Sequence, residues 1–203
     1  MRVLVACEFS GIVRDAFLAR GHDAVSCDLL PTESPGPHIV GDVRELLGDG
    51  WDLMVAHPPC TYLTNAGVRW LHGDYGHRMA PGSLVGEPRW EAMREGAALF
   101  RELLEAPIPR IAVENPIMHR HAHALVGRRQ DQVVQPWMFG ESVQKPVALW
   151  LVGLPPLIAT GPICMERQQL VHRMAPSPTR SHDRSRFFPG IAAAMADQWG
   201  SAA

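Results

Sequence analysis

Two short runs hold the residues best suited to covalent and proton-transfer chemistry: Ala56-His57-Pro58-Pro59-Cys60 and Glu114-Asn115-Pro116. A cysteine thiolate can bond temporarily to an electron-poor carbon and push electron density onto its neighbour. A glutamic acid with a raised pKa can donate a proton to the ring that accepts that charge. C5 of cytosine is a poor nucleophile, and this pair of groups suits its activation: thiolate at C6, acid near N3. Simpler roles exist for both residues. A lone cysteine after a strand is usually a small buried hydrophobe, and an acid at a strand end often caps the next helix.

The surrounding pattern supplies elements able to bring the two together. Residues 3–6 form an apolar run, followed by Ser10-Gly11 and an amphipathic stretch over 12–19, which reads as strand, tight turn and helix. Further strands are expected at 24–27, closed by Asp28, at 39–40 before Gly41-Asp42, at 52–56 and at 110–113. A short helix is expected over 43–47 and a longer one over 90–104. This alternation predicts parallel βαβ units in a doubly wound α/β sheet, with ligands at the C-terminal strand ends. Cys60 and Glu114 each follow a predicted strand, so they converge on one pocket despite their separation in sequence. Residues 61–88 read as a long functional loop. Residues 133–137 and 148–152 read as an antiparallel pair on the sheet edge, and 191–199 as a closing helix after Pro189-Gly190. No internal repeat is present.

The ordered set Phe9-Ser10-Gly11, Asp28, Gly41-Asp42, Pro58-Pro59-Cys60 and Glu114-Asn115-Pro116 resembles the motif series of the DNA cytosine-C5 methyltransferases. Phe139-Gly140 through Trp150-Leu151-Val152-Gly153 is similar to a later motif, and Phe188-Pro189-Gly190-Ile191-Ala192 to the final one, as in small phage- and bacterial-type members. The resemblance implies a Rossmann-like class I core over residues 1–153, a small variable segment over 154–186 where a target-recognition domain would stand, and a C-terminal helix over 187–203 returning to the core. It implies S-adenosyl-L-methionine as cofactor, held by Phe9, Ser10, Gly11, Asp28, Leu29, Asp42, Val43 and Pro58. Asp28 would take the ribose hydroxyls, Asp42 the adenine amine, and Gly11 would allow close backbone approach. Cys60 and Glu114 would be catalytic. Pro59, Asn115, Gln144, Lys145, Arg184 and Arg186 would handle the substrate, with Asn115 bracing the loop beneath Cys60.

Departures from the family pattern fall mainly on substrate handling. An acid is usual where Cys7 stands, glycines where Ile12, Val13 and Arg14 stand, and a Gln where Thr61 stands. Of a Gln-x-Arg-x-Arg run near Gln144-Lys145, only the Gln and one base survive, which leaves Arg184 and Arg186 as replacements for the arginines. The substrate is therefore open between cytosine in DNA and a free cytosine nucleotide such as dCMP or CMP. A third alternative is a non-catalytic subunit that binds cofactor or DNA.

Other patterns narrow the field. A cysteine-dependent phosphatase needs an arginine six residues beyond its nucleophile, where this chain has Ala66, and an amino-methyltransferase would not have His57 and Cys60 flanking Pro58-Pro59. His119, His121 and His123 invite a metal reading, but no cysteine or carboxylate at ligand spacing supports it and no metal is expected. Trp70-Leu71-His72, with Arg69 and Tyr75, suits either stacking on a base or pinning the long loop to the core. His172, Arg173, Arg180, His182, Arg184 and Arg186 form a basic concentration suited to phosphate. The 203 residues, 46% of them hydrophobic, can bury one core, and a net charge of -2 gives no global basic field. Four cysteines without a Cys-x-x-Cys pair, and no signal-like N-terminus or long apolar run, lead to the expectation of a soluble cytoplasmic protein without membrane contact.

Overall fold

The computed structural model describes residues 1–73, 82–161, 168 and 180–201. Strands β1 (Arg2–Ala6), β2 (Asp23–Asp28), β3 (His38–Val40), β4 (Leu53–Ala56), β5 (Ile111–Asn115), β6 (Gln132–Val134) and β7 (Val147–Val152) make one sheet in the order β3-β2-β1-β4-β5-β7-β6. The pairs from β3 through β5 are parallel, while β7 runs antiparallel to both β5 and β6. The chain is thus a doubly wound, mostly parallel α/β sheet of Rossmann-like type, as the alternation predicted. The later strands do pair antiparallel, but β7 is inserted inside the sheet and β6 forms the edge.

Both faces are covered, which is why the central strands are apolar at every position. Val3, Val5, Leu53 and Val55 face α1 (Ile12–Leu18) and the closing helix, whose Ile191, Met195 and Trp199 are buried against them. Leu4, Ala6, Met54 and Ala56 face α2 (Glu87–Leu104) and α3 (Arg120–Val126). Trp150, fully buried on β7, meets Phe100 of α2 edge-on at 4.9 Å between ring centroids, a geometry worth about 0.5–1.5 kcal/mol beyond the area it buries. Among the described residues, two further helices are α4 (Arg180–Ser185) and α5 (Pro189–Gly200). No described helix is long and apolar enough to cross a membrane.

Several local expectations change. Residues 43–46 and 136–139 adopt 3-10 turns, the second because Pro136 cannot extend the β6 ladder and instead occupies the turn's first position. The loop after Cys60 contains a further 3-10 turn at Val68–Leu71, and α2 begins at Glu87, earlier than expected, with Pro88 in its first turn. Helix α3 is capped by the His119 side chain, which accepts from the Ala122 amide, so Glu114 does not cap it.

The first turn of α1 shows why its residues depart from a glycine-rich pattern. Arg14 is fully buried and its guanidinium donates to Asp15, Ser26, Thr32 and the Ser34 carbonyl, fixing the loop 29–37 that follows Asp28. Gly11 sits at φ 75°, and a Cβ there would lie 2.5 Å from the Arg14 guanidinium and 3.0 Å from the Ser34 Cβ. The glycine is therefore required by this packed arginine, and not only by the approach of a ligand. Gly11→Ala should destabilise the fold by about 2 kcal/mol or more, from the left-handed backbone plus the clash, read as a lower denaturant midpoint at unchanged m-value.

Candidate active site

The crossover after β1 leads through α1 to β2 on one face of the sheet, whereas the crossover after β4 leads through α2 to β5 on the other. Between β1 and β4 the two connections part, and the crevice at their C-terminal ends is where doubly wound sheets bind ligands. Cys7 continues β1 into this crevice with φ 56°, a backbone state that costs a non-glycine residue on the order of 1 kcal/mol. His57 to Cys60 continue β4, and Glu114 and Asn115 end β5.

A cleft of about 590 Å³ opens there, lined by Phe9, Asp28, Pro59, Cys60, Lys145 and Arg184 among others. A second, smaller cavity of about 130 Å³ adjoins it, lined by Asp28, Leu29, Asp42, Val43 and Pro59. Asp28 and Pro59 belong to both. Leu29 is 75% exposed, which leaves an uncovered apolar side chain beside the Asp28 carboxylate. Asp28 accepts from the Leu30 amide, leaving acceptor capacity for hydroxyls. Asp42 caps the 43–46 turn through the Arg44 amide and also pairs with the Arg44 guanidinium, contacts that hold its carboxyl below the usual range.

Cys60 lines the cleft, and Glu114 lies near enough for its charge to act on the thiol. Burial, and next the charge of Glu114, push the Cys60 thiol up; Lys145 and Arg184 pull it down. Glu114 is itself engaged, its Oε2 lying 3.3 Å from His57 Nδ1. Burial is the main cause that raises Cys7 to about 12 and Cys27 to about 11. Alkylation by iodoacetamide should therefore modify Cys60 ahead of Cys7 and Cys27 at pH 8. Its rate should climb with pH to a midpoint above the ordinary thiol range, and Lys145→Met should move that midpoint higher still. Peptide mapping by mass spectrometry reads the site and the order.

Other assignments shift. Pro58 is buried, and it is Pro59 that borders both cavities. Ser10 donates to Glu8 and does not line the main cleft. Asn115 is fully buried, and neither its Oδ1 nor its Nδ2 has a hydrogen-bond partner among the described residues, so no side-chain hydrogen bond braces the loop beneath Cys60. Gln144 meets Gln168 through the backbone, and its neighbour Lys145 faces the cleft instead. Lys145 Nζ donates to the Arg184 carbonyl at 3.1 Å, which joins two of the residues that line the cleft. Arg186 does not line the cleft; its guanidinium is held twice by Glu33 at 2.9 Å. Cys164, Tyr75, His172 and Arg173 lie outside the described residues, as do the side chains of Arg180 and His182.

Three contributors escaped the sequence reading. Glu8, buried to 4% exposure, accepts from the amides of Val13 and Arg14 and thereby caps α1. It supplies an acid one position beyond Cys7, and the detectable signal was a carboxylate just ahead of a helix start. Arg89 lies 7% exposed on α2, donates to the Ala66 carbonyl and sits 5.0 Å from the Tyr62 ring, holding the wall of the cleft behind Cys60. His57 touches Glu114 through one nitrogen, while its buried Nε2 has no partner among the described residues and its ring lies 4.6 Å from Phe187. Trp70 lines the cleft and Leu71 is buried, so the Trp70-Leu71 pair both faces the site and pins the loop. No group of three or more potential metal ligands occurs among the described residues.

No family model matches the chain, and no curated protein matches it. Among solved structures, the Entamoeba histolytica methyltransferase EhMeth superimposes with a TM-score of 0.48 at 12% identity, covering 87% of this chain and 60% of that one. The chain therefore spans less than two thirds of that structure's length.

Proposed function

We propose that this protein is an S-adenosylmethionine-dependent methyltransferase that modifies C5 of cytosine through a Cys60–C6 adduct. The observation that carries the reading is a Cys60 thiol in a cleft whose lining includes Lys145 and Arg184, near enough to Glu114 to feel its charge. A thiol flanked by both a carboxyl and cations suits a substrate that must be attacked at one ring atom and stabilised at another. The cavity between Asp28 and Asp42 fits the cofactor's nucleoside: a carboxylate with acceptor capacity for the ribose and an exposed Leu29 to cover the base. When bound, the cofactor supplies an electrophilic methyl group.

The protein's own residues do the rest. Cys60 Sγ releases its proton to water and the thiolate bonds to C6, which places the ring's electron pair at C5. Glu114 hydrogen-bonds at N3 and the exocyclic amine, neutralising charge as it develops, and His57 at 3.3 Å fixes the carboxyl's orientation. Lys145 and Arg184 favour the thiolate. After C5 is methylated, loss of its proton to water re-forms the double bond and expels the Cys60 thiolate.

The test is transfer of a tritiated methyl group from S-adenosylmethionine to duplex DNA, single-stranded DNA, dCMP and CMP. Label recovered as 5-methylcytosine after hydrolysis and chromatography, together with release of the C5 proton to water, is the expected result. Methyl transfer to the exocyclic amine, or none to any cytosine compound, would overturn the reading.

A further inference from the structure

A second polar cavity of about 380 Å³ lies on the other side of the segment that follows Cys60, lined by Asn65, Val68, Arg69, His72, His119, Arg120 and His121. The segment is shared as a wall: Ala66, Gly67 and Trp70 line the Cys60 cleft, while Asn65, Arg69 and His72 line this pocket. Its position is fixed by tertiary contacts, since Thr64 bridges to Met118 and the His119 amide donates to the Leu63 carbonyl.

The lining contains no carboxylate. Most arginines that reach the surface are paired: Arg20 with Asp197, Arg44 with Asp42 and Glu102, Arg94 with Glu87 and Glu91, Arg128 with Asp131 and Arg186 with Glu33. Arg69 and Arg120 have no acidic partner among the described residues; the first lies over the Trp70 ring and the second donates to His121 Nε2 at 3.3 Å. Two guanidinium groups with no acidic partner among the described residues, beside an amide and three imidazoles, form a lining suited to a phosphate oxygen cluster.

We propose that this pocket binds a backbone phosphodiester of a polynucleotide whose cytosine enters the Cys60 cleft, with a hold that strengthens as pH falls. The substrate class rests on the cytosine reading above; the anion site rests on its own lining. Acidification acts through His121. His121 is kept neutral by burial first, then by Arg120 and His72, and its ring packs edge-on to Trp90 of α2 at 5.0 Å. Glu87 and Glu91 of α2 are engaged by Arg94. His119 takes no part, because its Nε2 bonds the Tyr62 carbonyl and its Nδ1 accepts from Ala122, and burial holds it in the neutral form. A phosphate that draws Arg120 away from His121 Nε2 frees that nitrogen to take a proton.

Fluorescence anisotropy with a labelled cytosine-containing oligonucleotide and the full chain tests this, alongside calorimetric titration with dCMP. Wild type should bind the oligonucleotide more tightly at pH 5.5 than at pH 7.5. The double variant Arg69→Gln/Arg120→Gln should lose about tenfold or more in affinity, and its dependence of log K on log salt should become shallower by about 1, with an unchanged thermal midpoint and unchanged dCMP affinity. His121→Gln should flatten the pH dependence while keeping the affinity at pH 8. Unchanged oligonucleotide affinity and salt slope in the double variant would overturn the proposal, as would equal loss for dCMP, which assigns the site to a free monoester. Oligonucleotide binding that needs Arg69 and Arg120 without methyl transfer to any cytosine would leave the pocket standing and remove the C5 chemistry. Methyl transfer to DNA that ignores the pocket would do the reverse.

Discussion

Cys60→Ser should lower methyl transfer by on the order of 10⁴-fold or more while leaving cofactor affinity within about twofold of wild type. A serine hydroxyl keeps the size and position of the thiol but is far too weakly acidic to supply the anion that bonds to C6. Lys145 and Arg184 lower the thiol's proton affinity only in part, because burial and Glu114 oppose them, and the same two cations cannot ionise a hydroxyl at neutral pH. Pro59 stands between Cys60 and the cavity assigned to the cofactor, so a change confined to Sγ leaves Asp28 and Leu29 untouched. Single-turnover methyl transfer and calorimetric titration with S-adenosylmethionine separate the two effects. Wild-type turnover in Cys60→Ser would remove the covalent mechanism.

Glu114→Gln should cost about 10²- to 10⁴-fold in the chemical step, the range expected for loss of a positioned proton donor. The amide keeps the shape that fits against His57 and the backbone ladder to Leu149, so the variant should fold with a midpoint close to wild type. It also removes the charge that raises the Cys60 thiol, and this separates the two roles of Glu114. Alkylation of Cys60 should become faster at a given pH in Glu114→Gln even as methyl transfer falls. Parallel falls in both would mean that Glu114 serves only to shape the cleft.

The elements that hold Cys60 and Glu114 were legible because each is a short apolar run with a polar residue at its end. Such runs fit only strands covered on both faces, and burial of Val55, Ala56, Ala112 and Val113 bears this out. Edge features were less legible. Residues 132–134 and 136–139 share apolar character, and only the missing amide of Pro136 separates strand from turn. The placement of β7 between β5 and β6 follows from the inner strand's need for burial on both sides, which no local pattern expresses.

By itself, the sequence determined the α/β class, the strand ends that carry Phe9, Asp28, Cys60 and Glu114, and the chemistry open to a thiol and a carboxyl in one crevice. Residue type and period are local properties, and backbone sterics convert them into strands and turns without reference to distant parts of the chain. Only the tertiary structure decided that Arg186 belongs to Glu33, that Arg14 occupies the space above Gly11, that Glu8 caps α1 and that His57 meets Glu114. It also decided that Arg69 and Arg120, far apart in the chain, line one pocket without an acid between them. Partner choice among charged side chains depends on which elements the sheet brings within a few ångströms, because their attraction falls away with distance and with exposure to water.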